Sequence, residues 1–140
     1  MGTGTTLAGV VAGLPDDYGQ VLGVSALKGA LDLESRIQQG LLACGATDSH
    51  GSWQVLHDHH CGGFARCSAQ LRDFMQAFQR VHGIPLEPVY TGKALFALHK
   101  LLGAGRLDPA ADLVLVHTGG LQGARGFDWL SSREVSPVVP

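Results

Sequence analysis

Three stretches of this sequence carry side chains capable of chemistry. Residues 113–123, LVLVHTGGLQG, end an unbroken aliphatic run in His117-Thr118-Gly119-Gly120. Such a run predicts a short buried parallel strand whose carboxyl end opens on a ligand crevice. There a threonine hydroxyl can hydrogen-bond a ligand, and paired glycines let it approach the backbone closely. A turn that needs positive φ and nothing more accounts for the same glycines, and taken alone the stretch slightly favours that plainer reading. The second stretch is the beginning, MGTGTTLAG, where glycine and threonine crowd ahead of an apolar, helix-compatible run that stops at Leu14-Pro15. A glycine-rich loop opening a helix is a ready phosphate site, because free backbone N–H groups and the helix dipole both favour an anion. Thr3, Thr5 and Thr6 add hydroxyls around Gly4. Loops of this type ordinarily follow a strand, whereas this chain starts inside the loop.

The third stretch is HDHHCGGFARC at residues 57–67. His57, His59, His60 and Cys61, with Cys67 beyond, are all metal-ligand types, and a metal-binding module is one reading. The spacing argues against it. Adjacent residues of one strand or turn point in different directions, and closed zinc sites use ligand pairs two to four residues apart. A second such pair is missing, since Cys44 and His50 do not form one. A polar loop at a strand end, beside the Gly62-Gly63 turn, is favoured.

These stretches need elements to hold them. Residues 20–28, QVLGVSALK, predict a strand ending in a small-residue turn. Residues 31–43 predict a helix with Leu33, Ile37 and Leu41 on one face at four-residue spacing. Residues 43–52 read as a loop and 53–56 as a second strand. Ser68 is positioned to cap an amphipathic helix carrying Leu71, Phe74, Met75 and Phe78, closed by Gly83. Residues 84–88, IPLEP, must be extended, because the two prolines forbid helix. Tyr90 then stands at the entrance of the helix ALFALHKLL, with Thr91 as the expected N-cap. That helix is so apolar that burial is expected, and it stops at Gly103 and Gly105. Alternating strands and helices predict an α/β fold, a mostly parallel twisted sheet with helices on both faces. No internal repeat or linker divides the chain. One domain over residues 1–128 is expected, followed by a loosely ordered tail over 129–140.

Composition narrows the function classes. The chain has 140 residues, 45% hydrophobic and 16% charged, with a net charge of −2. That suits one domain with a true core and gives no electrostatic reason to expect nucleic acid or an anionic membrane. No apolar run approaches the roughly 18 residues of a membrane span, and no signal-peptide pattern opens the chain. The three cysteines, Cys44, Cys61 and Cys67, are odd in number and irregular in spacing. Reduced thiols and a cytoplasmic location are therefore expected.

Taken together, GTGTTLAG, GVSALKG at 23–29, CGGFAR at 61–66, IPLEPVYTGKA at 84–94 and HTGGLQG at 117–123 resemble one family. It is the family of pyridoxal-phosphate enzymes that includes 1-aminocyclopropane-1-carboxylate deaminase and D-cysteine desulfhydrase. Order and spacing match from Met1 to about Phe127, and PVYTGK followed by HTGG at this distance is the most specific part. The resemblance implies the large-domain portion of a fold type II, tryptophan-synthase-β-like enzyme, truncated at the amino terminus. In the family, the lysine bound to the cofactor and a substrate-binding serine-asparagine motif lie in the preceding portion. Lys28, Lys93 and Lys100 do not stand in that lysine's context.

Carried across, the resemblance makes Thr3, Gly4, Thr5 and Thr6 the phosphate cup of pyridoxal 5'-phosphate. Thr118, with Gly119, becomes the partner of the pyridine nitrogen, and Tyr90 the tyrosine near the substrate. A neutral hydroxyl at the pyridine nitrogen implies a weaker electron sink than a carboxylate would give. The family often has glycine where Thr5 stands. Thr91, on the cofactor side, occupies a position where aminocyclopropane deaminases tend to carry glutamate, which tips the resemblance toward the desulfhydrase side. Phe64 stands where a tyrosine is usual, removing a candidate acid-base hydroxyl. The implied activity is Cα-proton abstraction and β-elimination with ammonia release on a small, D-configured amino acid. This chain alone is expected to be inactive for lack of the lysine. The alternative is a non-catalytic remnant or cofactor-binding fragment. Expected partners are a small amino-acid substrate and either a second copy or an amino-terminal half.

Overall fold

A computed structural model describes residues 1–15, 17–46 and 52–131. The elements run α1 (Thr5–Gly13), β1 (Gln20–Val24), α2 (Leu33–Ala43), β2 (Ser52–Leu56), a 3-10 turn (His57–His59), α3 (Ala69–His82), α4 (Thr91–Gly103), a 3-10 segment (Leu121–Gly126) and α5 (Asp128–Ser131). β1 and β2 are parallel, with Val21 opposite Trp53 and Gly23 opposite Val55. The connection between them runs through α2, as a parallel pair requires. The fold is α/β with parallel strands, as the alternation of elements predicts.

Strand pleating sends Val21, Gly23, Trp53 and Val55 to one face. There they meet α1 and α2 in a core of Leu7, Ala8, Val11, Leu33, Ile37, Leu41, Ala46 and Val55. The four-residue spacing on α2 is therefore a burial pattern: Leu33 and Ile37 are fully enclosed. A second cluster, Leu71, Met75 and Leu86, joins α3 to the segment before α4, with Phe74, Phe78, Leu95, Phe96 and Trp129 packed on it. The Ser68 hydroxyl accepts from Leu71 N–H at 3.2 Å, and Gly83 closes α3 at φ 68°. Both caps are those the sequence predicts.

Three expectations are corrected. Residues 112–120 are in no strand among the described residues, and the apolar side chains of Val114 and Val116 are 73% and 55% exposed. A strand exists only by pairing with a neighbour, and neither described strand pairs with this run. The expected burial of the apolar helix holds for only one face of α4. Lys93, Ala97 and Leu101 are buried, while Leu95, Phe96, Leu98 and Leu102 are half-buried and His99 and Lys100 are exposed. The tail expected over 129–140 starts as helix at Asp128–Ser131, and 132–140 lie outside the described residues, as do residues 47–51 of the loop expected at 43–52. All three cysteines are free thiols. No helix among the described residues is long and apolar enough to cross a membrane.

Two stability outcomes follow from this packing. Ile37→Ala, at a fully enclosed position, is expected to cost about 2–5 kcal/mol by chemical denaturation. Leu113, Val114 and Val116 are exposed and α3 and α4 carry half-buried apolar faces, and open apolar surface of this kind favours association. The chain is expected to self-associate in sedimentation velocity, and less so in a V114K/V116K variant. A monodisperse, cooperatively unfolding monomer would contradict this.

Candidate active site

Ligands of open parallel sheets sit beyond the carboxyl ends of the strands, and the candidate residues collect there. Ser25 N–H donates to the Leu56 carbonyl at 3.1 Å, tying the ends of β1 and β2 together. Ala26 N–H donates to the Met1 carbonyl at 2.8 Å and so holds the first residues against the end of β1. From there the chain turns through Thr3-Gly4 into α1.

Gly4 sits at φ 84°, in the left-handed region, and its Cβ position would fall 2.6 Å from Ile37 Cγ1. Only glycine fits. No side chain caps α1, so its first backbone N–H groups are unclaimed within the helix. Thr5 and Thr6 are exposed in that first turn, and the Thr3 and Thr5 hydroxyls lie 3.0 Å apart. An uncapped helix start flanked by hydroxyls, on a backbone no larger residue could follow, suits a phosphate group. The residues present fit a phosphate-bearing cofactor.

Opposite stands the entrance of α4. Tyr90 is partly exposed, and its hydroxyl lies 3.4 Å from the Cβ position of Gly2, beside the phosphate loop. The Phe64 ring is tilted against the Tyr90 ring at 6.2 Å between centroids. Thr91 is not the helix cap. It is buried inside the first turn, its hydroxyl accepting from Glu87 N–H at 3.3 Å. The N-cap position is Tyr90, with no side-chain cap of its own; the Glu87 carboxylate instead accepts from the N–H groups of Val89 (2.7 Å), Tyr90 (2.7 Å) and Thr91 (2.6 Å). An acid here also meets the positive end of the helix dipole. Sequence reasoning missed Glu87. The available signal was an acidic residue just ahead of the first turn, hidden by the threonine that follows.

The glycine stretch closes over this entrance. Gly119 and Gly120 take φ 84° and 86°, which is the conformational need noted for the stretch. Gly119 N–H donates to His117 Nδ1 at 3.2 Å, and His117 Nε2 reaches the Pro85 carbonyl at 3.4 Å. Thr118 is exposed at the head of this turn. The Cβ positions of Gly120 and Gly123 lie 3.7 Å from Glu87 Cγ and 3.3 Å from Glu87 Oε2. The structure thus joins Tyr90 to the loop ahead of α1, and joins the glycine turn to the same α4 entrance.

Among the lysines, Lys28 is exposed and Lys100 lies over the Phe96 ring at 5.2 Å. Lys93 is only 1% exposed, and its Nζ donates to the Gly63 carbonyl at 2.7 Å. That bond draws the Cys61–Arg66 loop, with Phe64, toward α4. Burial lowers the pKa of Lys93, an effect that Cys61, Cys67 and Glu87 oppose. Burial also raises both of those thiols. His57 pairs with Glu34 at 2.7 Å, and His60 Nδ1 accepts from Gly62 N–H at 3.0 Å. Among the described residues no three His, Cys, Asp or Glu side chains group to hold a metal ion; His50 lies outside them.

A helix start suited to a phosphate therefore lies at the carboxyl end of two parallel strands in an α/β fold. Residues 1–119 match the family described as pyridoxal-phosphate dependent enzyme, and the chain belongs to it. Two curated relatives, from Pyrococcus furiosus and Thermotoga maritima, carry the name "Putative 1-aminocyclopropane-1-carboxylate deaminase". Each is 26% identical, over 87% and 88% of this chain respectively. A solved structure titled as that of an ACC deaminase homologue superposes with a TM-score of 0.74 at 26% identity, covering 94% of this chain. This chain spans 38–40% of those two relatives and 42% of the solved homologue.

Lys93 provides a pH test. Its folded-state pKa lies below the unfolded value of 10.5, so between the two the unfolded chain binds more protons and stability rises with pH. Urea denaturation from pH 7 to 10.5 is expected to show wild type gaining stability relative to Lys93→Met across that window. Parallel profiles would refute it.

Proposed function

We propose that this chain supplies the cofactor-holding portion of a pyridoxal-phosphate lyase that acts on a small, D-configured amino acid. The complete site would abstract the Cα proton, eliminate the β-substituent and release ammonia. The bound cofactor supplies the electron sink for that chemistry. The observation that carries the reading is the uncapped start of α1 at Gly4, facing the Tyr90 hydroxyl across Gly2.

Each residue has a part in this reading. The backbone N–H groups of the first α1 turn, with Thr3, Thr5 and Thr6, bind the phosphate; Gly4 lets the loop lie close to it. Thr118, exposed at the head of the glycine turn, donates or accepts at the pyridine nitrogen, with Gly119 keeping the backbone clear. Tyr90 lines the substrate side and is the candidate for proton handling there. Thr91 supports the site from beneath, since its hydroxyl already accepts from Glu87 N–H. A buried threonine in place of a carboxylate favours elimination from a D-cysteine-type substrate over opening of a cyclopropane ring. Phe64 offers no second phenol beside Tyr90.

Catalysis also needs an amine that anchors the cofactor covalently, and hydroxyl groups cannot replace it. Lys93 is enclosed and committed to Gly63, so it does not serve. We assign turnover to this chain combined with the remainder of the family fold, in the cytoplasm. Alone, the chain holds the cofactor reversibly.

Equilibrium dialysis of the chain with pyridoxal 5'-phosphate tests this reading. Saturable uptake is expected, weakened roughly tenfold in the T3A/T5A variant by loss of hydrogen bonds to a charged group. Thr118→Val is expected to weaken it less, because a neutral ring contact is worth less. No ammonia release from D-cysteine is expected without a complementing amino-terminal portion. Absence of saturable uptake, or turnover by the chain alone, would overturn the proposal.

A further inference from the structure

We infer that Glu87 is a positioning residue that sets the Tyr90 wall and the glycine turn of the crevice in register with each other. The inference rests on the cofactor-holding reading above and adds to it the residue that joins its two walls.

The geometry is specific. Glu87 is 1% exposed and ends in no ion pair among the described residues; the bonds its carboxylate makes there are to backbone N–H groups. Oε1 holds Tyr90 and Thr91, fixing the direction in which the Tyr90 ring leaves the chain. Oε2 holds Val89 and is also the oxygen facing the Cβ position of Gly123 at 3.3 Å. The Cβ position of Gly120 lies 3.7 Å from the Cγ of the same side chain. Gly123 N–H donates to the Gly120 carbonyl at 2.8 Å, so the turn resting on Glu87 is itself closed.

A helix cap alone needs one acceptor and no contact with a segment thirty residues away. Here the two carboxylate oxygens divide the work. One serves the turn that carries Tyr90, and the other lies between that turn and the loop carrying Thr118 and Gly119. A side chain of this length, packed on both, transmits any shift of one wall to the other. Reorienting it would strand backbone N–H groups away from water, which holds the arrangement in a single state.

Glu87→Gln tests the inference. The amide keeps one acceptor but turns an NH2 toward an N–H donor. Hydrogen exchange, read by NMR on the chain without ligand, is expected to quicken roughly tenfold or more at Tyr90 and Thr91 and also at Gly123. The dissociation constant for pyridoxal 5'-phosphate is expected to rise by a similar factor. Leu101→Ala, which loosens α4 at its far end, serves as a stability control and should move neither Gly123 nor the cofactor affinity at a comparable loss of Tm. Glu87→Asp keeps the charge on a shorter arm, and smaller changes of the same sign are expected; it carries the comparison if the glutamine variant does not fold. Faster exchange at residues 89–91 with Gly123 unchanged would overturn the inference, as would a cofactor affinity no different from that of the control. A wild-type chain with no cofactor uptake would refute the functional reading instead, and the Gly123 comparison would then decide on Glu87 alone.

Discussion

The entrance of α4 depends on one buried carboxylate. Prolines at 85 and 88 deny the approach to α4 both helical geometry and two backbone donors. The segment therefore arrives with N–H groups that no regular element can satisfy. Glu87 takes three of them on its carboxylate, its own N–H is taken by the Thr91 hydroxyl, and its carbonyl accepts from Gly92 N–H at 2.8 Å. A single residue thereby converts an irregular, proline-bounded stretch into a rigid corner. The macrodipole of a 13-residue helix supports the charge at that corner. Lys93 works from the first turn of α4 in the opposite sense, donating to the Gly63 carbonyl. Acceptor and donor together fasten two loops to one helix end.

Much of this architecture was legible from periodicity and local chemistry. α2 and α3 were readable because three or four apolar residues at helical spacing have one place to go. The Ser68 and Gly83 caps were readable because their chemistry is local. β1 showed as a short apolar run ending in small residues, and β2 as a short run ahead of the polar stretch at 57–60. The run at 113–117 looked equally strand-like, yet pairing is a property of two segments, and neither described strand pairs with it. Hydropathy reports what a segment would bury, not whether a neighbour is there.

The site was legible in outline, with its internal wiring hidden. Thr3, Gly4 and Tyr90 were chosen as separate stretches, and the structure sets the Tyr90 hydroxyl against Gly2, directly ahead of Thr3 and Gly4. Thr91 misled, because threonine before a helix is ordinarily its cap, and here a carboxylate four residues earlier outcompetes it. Lys93 was also readable after the fact: it shares the i, i+4, i+8 face with Ala97 and Leu101, both buried. A cation on such a face signals a fixed partner, which proves to be a carbonyl thirty residues away in sequence.

The contact between Gly4 and Ile37 has a further consequence. The phosphate loop rests directly on a side chain of the central core, with no spare layer between them. A larger or differently branched residue on that face of α2 would push the loop outward, and a smaller one would let it sag. The backbone path at position 4 and the packing at position 37 are therefore not independently adjustable in this protein. The same few atoms constrain both, and a side chain at position 4 would find room only after the core had changed at position 37.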